Sequence, residues 1–501
     1  MTTAPSTQRP TFPDFDAAEP RDYRMLIGGK WVQAAAGETI DVITPIDRNR
    51  VIARTPRGRA EDADRAVTAA RAAYPAWSGA PFTERQRALL LIADDLELLV
   101  EDLARLTSLD TGNALRTQAR PEAQLLVQTF RYFAGLAGER KGVTLPTGDD
   151  ALSYTRRLPL GVVAGILPWN SPLLIAAFKL PAAIVSGNAL VLKAAEDAPT
   201  TILELAAVCQ RHLPPGVLNV VTGYGPEVGE ALVQHPGVDK VSFTGSTATG
   251  SGVAARAGQR LAHVSLELGG KSPCVVFPDS DTDEVVDQVL LATRFARQGQ
   301  SCTSGSRLFL HEDVHDSFLD KLVAKVSQLR VGDPREESSD IGCIINERQW
   351  QRVQGYLDDG LAQEGVGVAY DGRASLTVGE PGFYHAPVIL TQVANDWRIA
   401  REEIFGPVLS VLRWRDEDEV VRMANDSHYG LAAFVFARDL GAALRTAHRI
   451  ESGWVQVNQG GGQQVGQSYG GMKASGQGRE FSLEGMLEGF TQIQQVNVRL
   501  G

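Results

Sequence analysis

The chain has 501 residues, too many for a single hydrophobic core and enough for two or three domains. Hydrophobic residues make up 43% and charged residues 22%, the balance of an ordinary globular chain, which argues against a disordered or fibrous one. A formal net charge of −11 disfavours nucleic acid and anionic membrane surfaces as partners.

Residues 1–20 contain Pro, Thr and Asp and no apolar run, so they read as a flexible tail and not as a signal peptide. Residues 25–31 and 39–44 alternate apolar and polar side chains around glycines and predict early strands. The alanine-rich stretch 60–74 predicts a helix. A longer helix is expected over 83–110, opened by a capping box of Thr83 and Gln86, closed by Gly112, and packed through Leu89, Ile92, Leu96, Leu99, Leu103 and Leu106. Another is expected over 121–137. Residues 152–159 predict a strand outside the main sheet. From Gly161 the pattern becomes βαβ, with strands at 161–167, 189–193, 217–221 and 240–244 and helices after Pro172, over 199–212, after Pro226 and after Ser246. That alternation argues for a parallel sheet covered on both faces. The most apolar run, 172–185, is interrupted by Lys179 and Pro181 and is too short to span a bilayer. Beyond Gly270 a second α/β series follows, with strands at 274–277, 307–310, 408–413, 432–437 and 454–458 and helices at 281–297, 315–329 and 440–450. Residues 459–467 form a Gly/Gln-rich loop.

The chemistry is expected between Leu266 and Arg307. The four cysteines differ in setting. Cys209, Cys274 and Cys343 lie in apolar contexts and read as core residues. Cys302 lies in Gln298-Gly299-Gln300-Ser301-Cys302-Thr303-Ser304-Gly305, where no apolar periodicity explains it. Backbone N–H groups in such a loop favour the thiolate; the residues alone leave an inert loop cysteine equally open. No paired spacing suggests disulfides, so a reducing compartment, the cytoplasm, is expected. His311-Glu312-Asp313-Val314-His315 has the letters of a zinc-protease motif. It follows a strand and precedes a helical face that starts near Asp313, so it straddles a turn and no metal is expected there.

Two glycine turns are candidates for a phosphate site. Gly223, Gly225 and Gly229 approach a dinucleotide fingerprint with one gap a residue too long. Phe243-Thr244-Gly245-Ser246, at a strand-to-helix turn, is the better placed. Each is also readable as an ordinary strand–helix turn.

Glu267-Leu268-Gly269-Gly270-Lys271, followed thirty-five positions after the glutamate by the cysteine of Gly299-Gln300-Ser301-Cys302, resembles the paired signature of the aldehyde dehydrogenase superfamily. Further motifs carry the resemblance along about 25–498. They are Pro168-Trp169-Asn170, Lys193-Ala194-Ala195-Glu196 (with two alanines where the family has Pro-Ser), Phe243-Thr244-Gly245-Ser246, Glu403-Ile404-Phe405-Gly406-Pro407, and Tyr469-Gly470-Gly471 with Gly478-Arg479-Glu480. At Tyr469 a Phe is usual.

The resemblance implies an α/β fold in three parts. They are a Rossmann-like parallel-sheet cofactor domain (21–138 and 160–270), a second α/β catalytic domain (271–468), and a small β oligomerisation arm (139–159 and 469–501) that builds a homodimer or homotetramer. It implies NAD-dependent oxidation of an aldehyde to the acid, with Cys302 as nucleophile, Glu267 as general base and Asn170 as oxyanion donor. Lys179 and Glu480 form a proton relay by the same resemblance, or equally a structural ion pair. Ile166, Leu167, Pro168, Trp169, Lys193, Glu196, Gly225, Gly229, Phe243, Gly245, Ser246, Leu268, Glu403 and Phe405 would contact the cofactor. Ser171, Phe178, Ser301, Thr303 and Tyr469 would line the substrate pocket. Glu196 beside the ribose 2′ position favours NAD over NADP. An intact Glu267 favours hydrolysis of the thioester over its transfer to CoA. A metalloprotease and a non-catalytic protein of the same shape are the readings from other classes.

Overall fold

The computed structural model describes residues 19–379 and 381–500, so most of the tail expected over 1–20 lies outside the described residues. Two sheets organise the molecule. The first is built on five parallel strands: β3 (Val162–Ile166), β4 (Ala189–Lys193), β5 (Leu218–Val221), β6 (Lys240–Thr244) and β7 (His263–Glu267). Their spatial order is β7-β6-β3-β4-β5. The hairpin of β1 (Met25–Ile27) and β2 (Lys30–Val32) extends it antiparallel beyond β5. Strands β3 to β5 are rich in Val, Leu and Ala, and β3 to β6 are buried along their whole length, as parallel strands covered on both faces must be.

The chain runs outward from β3 to β4 and β5, then returns to the other side of β3 for β6 and β7. The strand order therefore reverses between β3 and β6, and a crevice opens there at the carboxyl ends of the strands.

The second sheet contains β8 (Pro273–Val276), β9 (Arg307–His311), β10 (Gly367–Asp371), β11 (Val388–Thr391), β12 (Val408–Trp414), β13 (Ala432–Phe436) and β14 (Trp454–Val457), in the order β10-β11-β12-β9-β8-β13-β14. Only β10 runs antiparallel. A separate three-stranded sheet pairs Ala151–Pro159 with Thr491–Arg499 over nine residues and with Thr144–Leu145 on the other edge. The C-terminal segment is shared between sheets, because β15 (Gly476–Gln477) adds to the first sheet beside β7.

Three local expectations are corrected. The helix expected over 83–110 is two helices, Phe82–Glu97 and Val100–Thr111. The break lets Leu98 face solvent while Leu99 enters the core with Leu96 and Leu103. Pro81 opens the first of them and no side chain caps it, so the Thr83–Gln86 box does not form. Gly112 does end the second, at φ 76°. The helix expected over 281–297 is Asp283–Thr293. It stops because Arg294 turns left-handed, at φ 58°, and its guanidinium donates to Gly460 O and Gly461 O at 2.9 and 2.6 Å.

His311 ends β9 and His315 begins the next helix, as the turn reading required. Among the described residues no cluster of three His, Cys, Asp or Glu could hold a metal, and no helix is long and apolar enough to cross a membrane.

Candidate active site

Strand β7 delivers Glu267 to the carboxyl edge of the first sheet, and the turn after it meets two other loops. A Cβ on Gly269 would lie 2.5 Å from Glu403 Oε2, and one on Gly270 would lie 2.2 Å from Cys302 O. Only glycine lets the Glu403 carboxylate and the cysteine loop approach this closely. Gly270 N–H then donates to Glu403 Oε1 at 2.9 Å.

The cysteine loop is wound tightly. Phe295–Arg297 is a 3-10 turn between left-handed Arg294 and Gln298, and Gln300 Oε1 accepts from Ile345 N–H at 3.1 Å. Cys302 is half-buried while the other three cysteines are buried completely. The Cys302 N–H makes no hydrogen bond to a described residue. Asn170 Nδ2 donates to Gln300 O at 2.9 Å, which holds the amide two residues from the thiol with its second N–H unused. Asn113 Nδ2 fixes the Asn170 carbonyl from behind at 3.0 Å.

The electrostatics corrects one expectation. Burial pushes the Cys302 thiol up to about 11, against a Tyr469 hydroxyl 3.5 Å away that pulls it down. The Glu403 and Glu267 charges push it further up and Arg297 opposes them. The loop's N–H groups therefore do not by themselves make a resting thiolate. Cys302 is still the most acidic of the four, since burial pushes Cys209, Cys274 and Cys343 higher.

Glu267 is 3% exposed and neither carboxylate oxygen has a hydrogen-bond partner among the described residues. Burial, with the Glu480 charge behind it, raises it well above the ordinary carboxylate range. Lys179 and Glu480 do meet: Nζ lies 3.0 and 3.1 Å from the two oxygens, and Ser242 Oγ donates to Oε1 at 2.7 Å. No hydrogen bond joins either to Glu267.

Along the crevice, Ile166, Leu167, Pro168 and Trp169 leave the end of β3. Lys193 Nζ donates to Glu196 Oε2 at 2.5 Å at the end of β4. Burial would raise the Glu196 carboxyl, but Lys193 overrides it and holds the group below its usual range. Beyond β6, a Cβ on Gly245 would lie 2.6 Å from the Phe243 ring. Ser246 caps the thirteen-residue helix Thr247–Gln259, its Oγ accepting the Thr249 N–H at 3.3 Å. Leu268 packs against Gly250 of that helix. Phe405, at φ 60°, stands edge-on to Trp169 with ring centres 5.4 Å apart, and strained backbone of this kind gathers at functional sites. Burial raises Glu403 to about 7. Gly225 opens and Gly229 ends a short helical turn, and at both a Cβ would meet open space; the strained glycine of that segment is Gly223, at φ 135°.

On the opposite side of Cys302, the Phe178 and Tyr469 rings lie 5.3 Å apart, with Trp454 behind Tyr469 at 6.1 Å. Ser301 Oγ and Thr303 Oγ1 are 3.2 Å apart. Ser171 Oγ accepts from Arg297 Nη1 at 3.3 Å. That bond is the sole hydrogen bond of the Arg297 guanidinium among the described residues, and the buried Glu122 is the charge that most favours its cation. Arg297 and Glu122 are residues that sequence reasoning missed. The one available signal was an arginine five positions before the cysteine, where the loop is otherwise small and neutral.

Comparison with known proteins is consistent along nearly the whole chain. Residues 31–496 match the sequence family described as the aldehyde dehydrogenase family. The chain is 41% identical over 477 residues to a hydroxyisobutyraldehyde dehydrogenase from Mycolicibacterium austroafricanum, covering 95% of this chain and 94% of that one. It superposes on an NAD-dependent aldehyde dehydrogenase from Sinorhizobium meliloti with a TM-score of 0.92 at 38% identity, covering 96% and 95% of the two chains. An aldehyde dehydrogenase from Bacillus cereus, solved as its NAD+ complex, gives a TM-score of 0.92 at 35% identity, with 96% and 97% covered.

Proposed function

This chain belongs to the aldehyde dehydrogenase family, and from that premise we propose that it oxidises an aldehyde to its carboxylic acid with NAD, through a thioester on Cys302. The observation that carries the reading is an unpaired, buried Glu267 brought to the same loops as the only partly accessible cysteine.

The residues of the crevice fit the cofactor. The helix start at Ser246 offers N–H groups to a pyrophosphate. The Lys193–Glu196 pair and Glu403 offer acceptors to the two riboses, and the Glu196 charge disfavours a 2′-phosphate, so NAD is preferred to NADP. When bound, NAD supplies the hydride acceptor.

The chain's own groups do the rest. The Cys302 thiolate attacks the aldehyde carbon, and the resulting oxyanion is held by the free Cys302 N–H and by Asn170, a donor typically worth ~3 kcal/mol. Loss of hydride leaves the thioester. Glu267 then takes a proton from water, which attacks the acyl carbon and releases the acid and the thiol. A CoA-acylating enzyme would have no need of a base so placed.

The Arg297 guanidinium, whose one side-chain partner among the described residues is the Ser171 hydroxyl, favours an aldehyde bearing polar oxygen over a short aliphatic one. The name of the Mycolicibacterium relative points the same way. Best activity on acetaldehyde across an aldehyde panel would contradict this.

The two sheets are read as cofactor and catalytic domains divided near residue 270. The three-stranded arm is read as an oligomerisation element, since Val143, Leu145, Leu152, Ile493 and Val498 are exposed on it. A homodimer or homotetramer should sediment accordingly, and Ile493→Glu should dissociate it. Four free thiols suit the reducing cytoplasm. The central test is Cys302→Ala, which should bind NAD and form no NADH; retained oxidation overturns the reading.

A further inference from the structure

Among the described residues, Cys302 Sγ has one side-chain hydrogen-bonding neighbour, the Tyr469 hydroxyl at 3.5 Å. Tyr469 is 2% exposed, and its ring is held between Phe178 and Trp454. An ionised sulfur carries no hydrogen, so once the thiol has lost its proton the phenol O–H is the donor of this pair. The Gly/Gln-rich loop that precedes Tyr469 is held in place, because Gly460 O and Gly461 O accept from the Arg294 guanidinium and Gln467 Oε1 accepts from Trp454 Nε1 at 3.2 Å.

We propose that the Tyr469 hydroxyl is a catalytic hydrogen-bond donor to the Cys302 thiolate, held on the sulfur by the packing of its buried ring. The inference rests on the reading of Cys302 as nucleophile.

The groups facing the sulfur explain why it needs a donor. Glu267 and Glu403 are acidic and oppose a thiolate, Arg297 is cationic and favours it, and Arg294 lies beyond. Burial beside Cys302 and Glu267 pushes the Tyr469 phenol well above its usual range, so it keeps its proton and serves as donor, never as base. When the thiol ionises, its proton leaves for Glu267 or water, and the Tyr469 O–H stays intact. When the S–C bond forms, the charge moves from sulfur to the aldehyde oxygen, where Asn170 and the Cys302 N–H receive it. The phenol thus acts on the thiolate, before the oxyanion exists.

The test is alkylation of Cys302 by iodoacetamide without cofactor, followed by mass measurement on its peptide, in wild type and Tyr469→Phe. A hydrogen bond to a charged sulfur changes the thiolate population by roughly tenfold. A more basic thiolate is intrinsically more nucleophilic, with a Brønsted slope of about 0.4–0.5, so the observed rate at pH 8 should fall roughly three- to fourfold in Tyr469→Phe. An unchanged rate in Tyr469→Phe overturns the donor. Unaltered NAD binding in the variant shows the fold intact, and because alkylation requires no turnover, its outcome is separable from failure of the dehydrogenase reading.

Discussion

Glu267 and Glu480 are both buried, at 3% and 1% exposure, and the charge of Glu480 acts on Glu267, yet their surroundings drive them in opposite directions. The Glu480 pocket supplies Lys179 on both oxygens, hydroxyls from Ser242 and Ser265, and a second cation in Lys240. Burial alone would raise Glu480, but these donors hold it below the ordinary carboxylate range. The Glu267 pocket supplies no donor to either oxygen, and burial raises the group. Burial is therefore common to both; the donors decide which stays ionised. A carboxyl kept ionised by fixed partners is a structural charge. One left without partners is free to take and return a proton, and such opposed pairs mark acid–base assignments.

The comparison breaks hardest at Glu267. Glu267→Gln keeps the shape and removes the base, so steady turnover should fall by about 10²–10⁴-fold. A near-stoichiometric burst of NADH should survive, with acyl mass on the Cys302 peptide. Loss of the burst would show that Glu267 also activates the thiol; full steady activity would move the base to another group, Glu480 first. At the other pole, Lys179→Met leaves the Glu480 charge buried and half-satisfied. It should cost about 3–5 kcal/mol, read in denaturant unfolding, and Glu480→Gln in the same chain should recover part of it.

Smaller effects sharpen the contrast through pH. Glu480 is depressed in the folded state, so its contribution to stability is complete above its unfolded value and is lost as pH falls through the lower folded value. Glu480→Gln should remove that acid limb from the stability profile. Glu267 is raised, so it is protonated and inactive as a base at low pH, and the hydrolytic step should climb as pH passes upward through its raised value. A flat profile for thioester hydrolysis would break the assignment. The smallest effect belongs to a third carboxylate, Glu196, paired like Glu480 but with a side chain 30% exposed. Glu196→Gln should narrow the preference for NAD over NADP by roughly fivefold, the scale of one partly screened charge. Catalytic efficiency in wild type that is higher with NADP would refute it.

Much of this was legible in the chain. The βαβ rhythm after Gly161 carried the first sheet, and the polar company of Cys302 separated it from three core cysteines. What the sequence hid depended on distant partners. Leu98 and Leu99 continue a helical periodicity, so nothing local marks the break between them. Arg294 turns left-handed because of carbonyls 166 positions away, and Arg297 meets Ser171 across 126. The weak acidity of Cys302 is hidden in the sequence for the same reason: burial by the surrounding chain pushes the thiol up, and the charges of Glu403 and Glu267, distant in sequence, add to it.

The arm carries a consequence for synthesis. Its long strand, Ala151–Pro159, pairs with Thr491–Arg499, and Ser153 bonds a residue 344 positions later. At ~5–20 residues per second the ribosome needs roughly twenty seconds to a minute between the two. Throughout that interval a nine-residue strand waits with one edge open, exposed to the same edge on neighbouring nascent chains. The last strand made is thus the one that removes an aggregation hazard. A chain halted after Phe490 should scatter light on refolding where the whole chain does not.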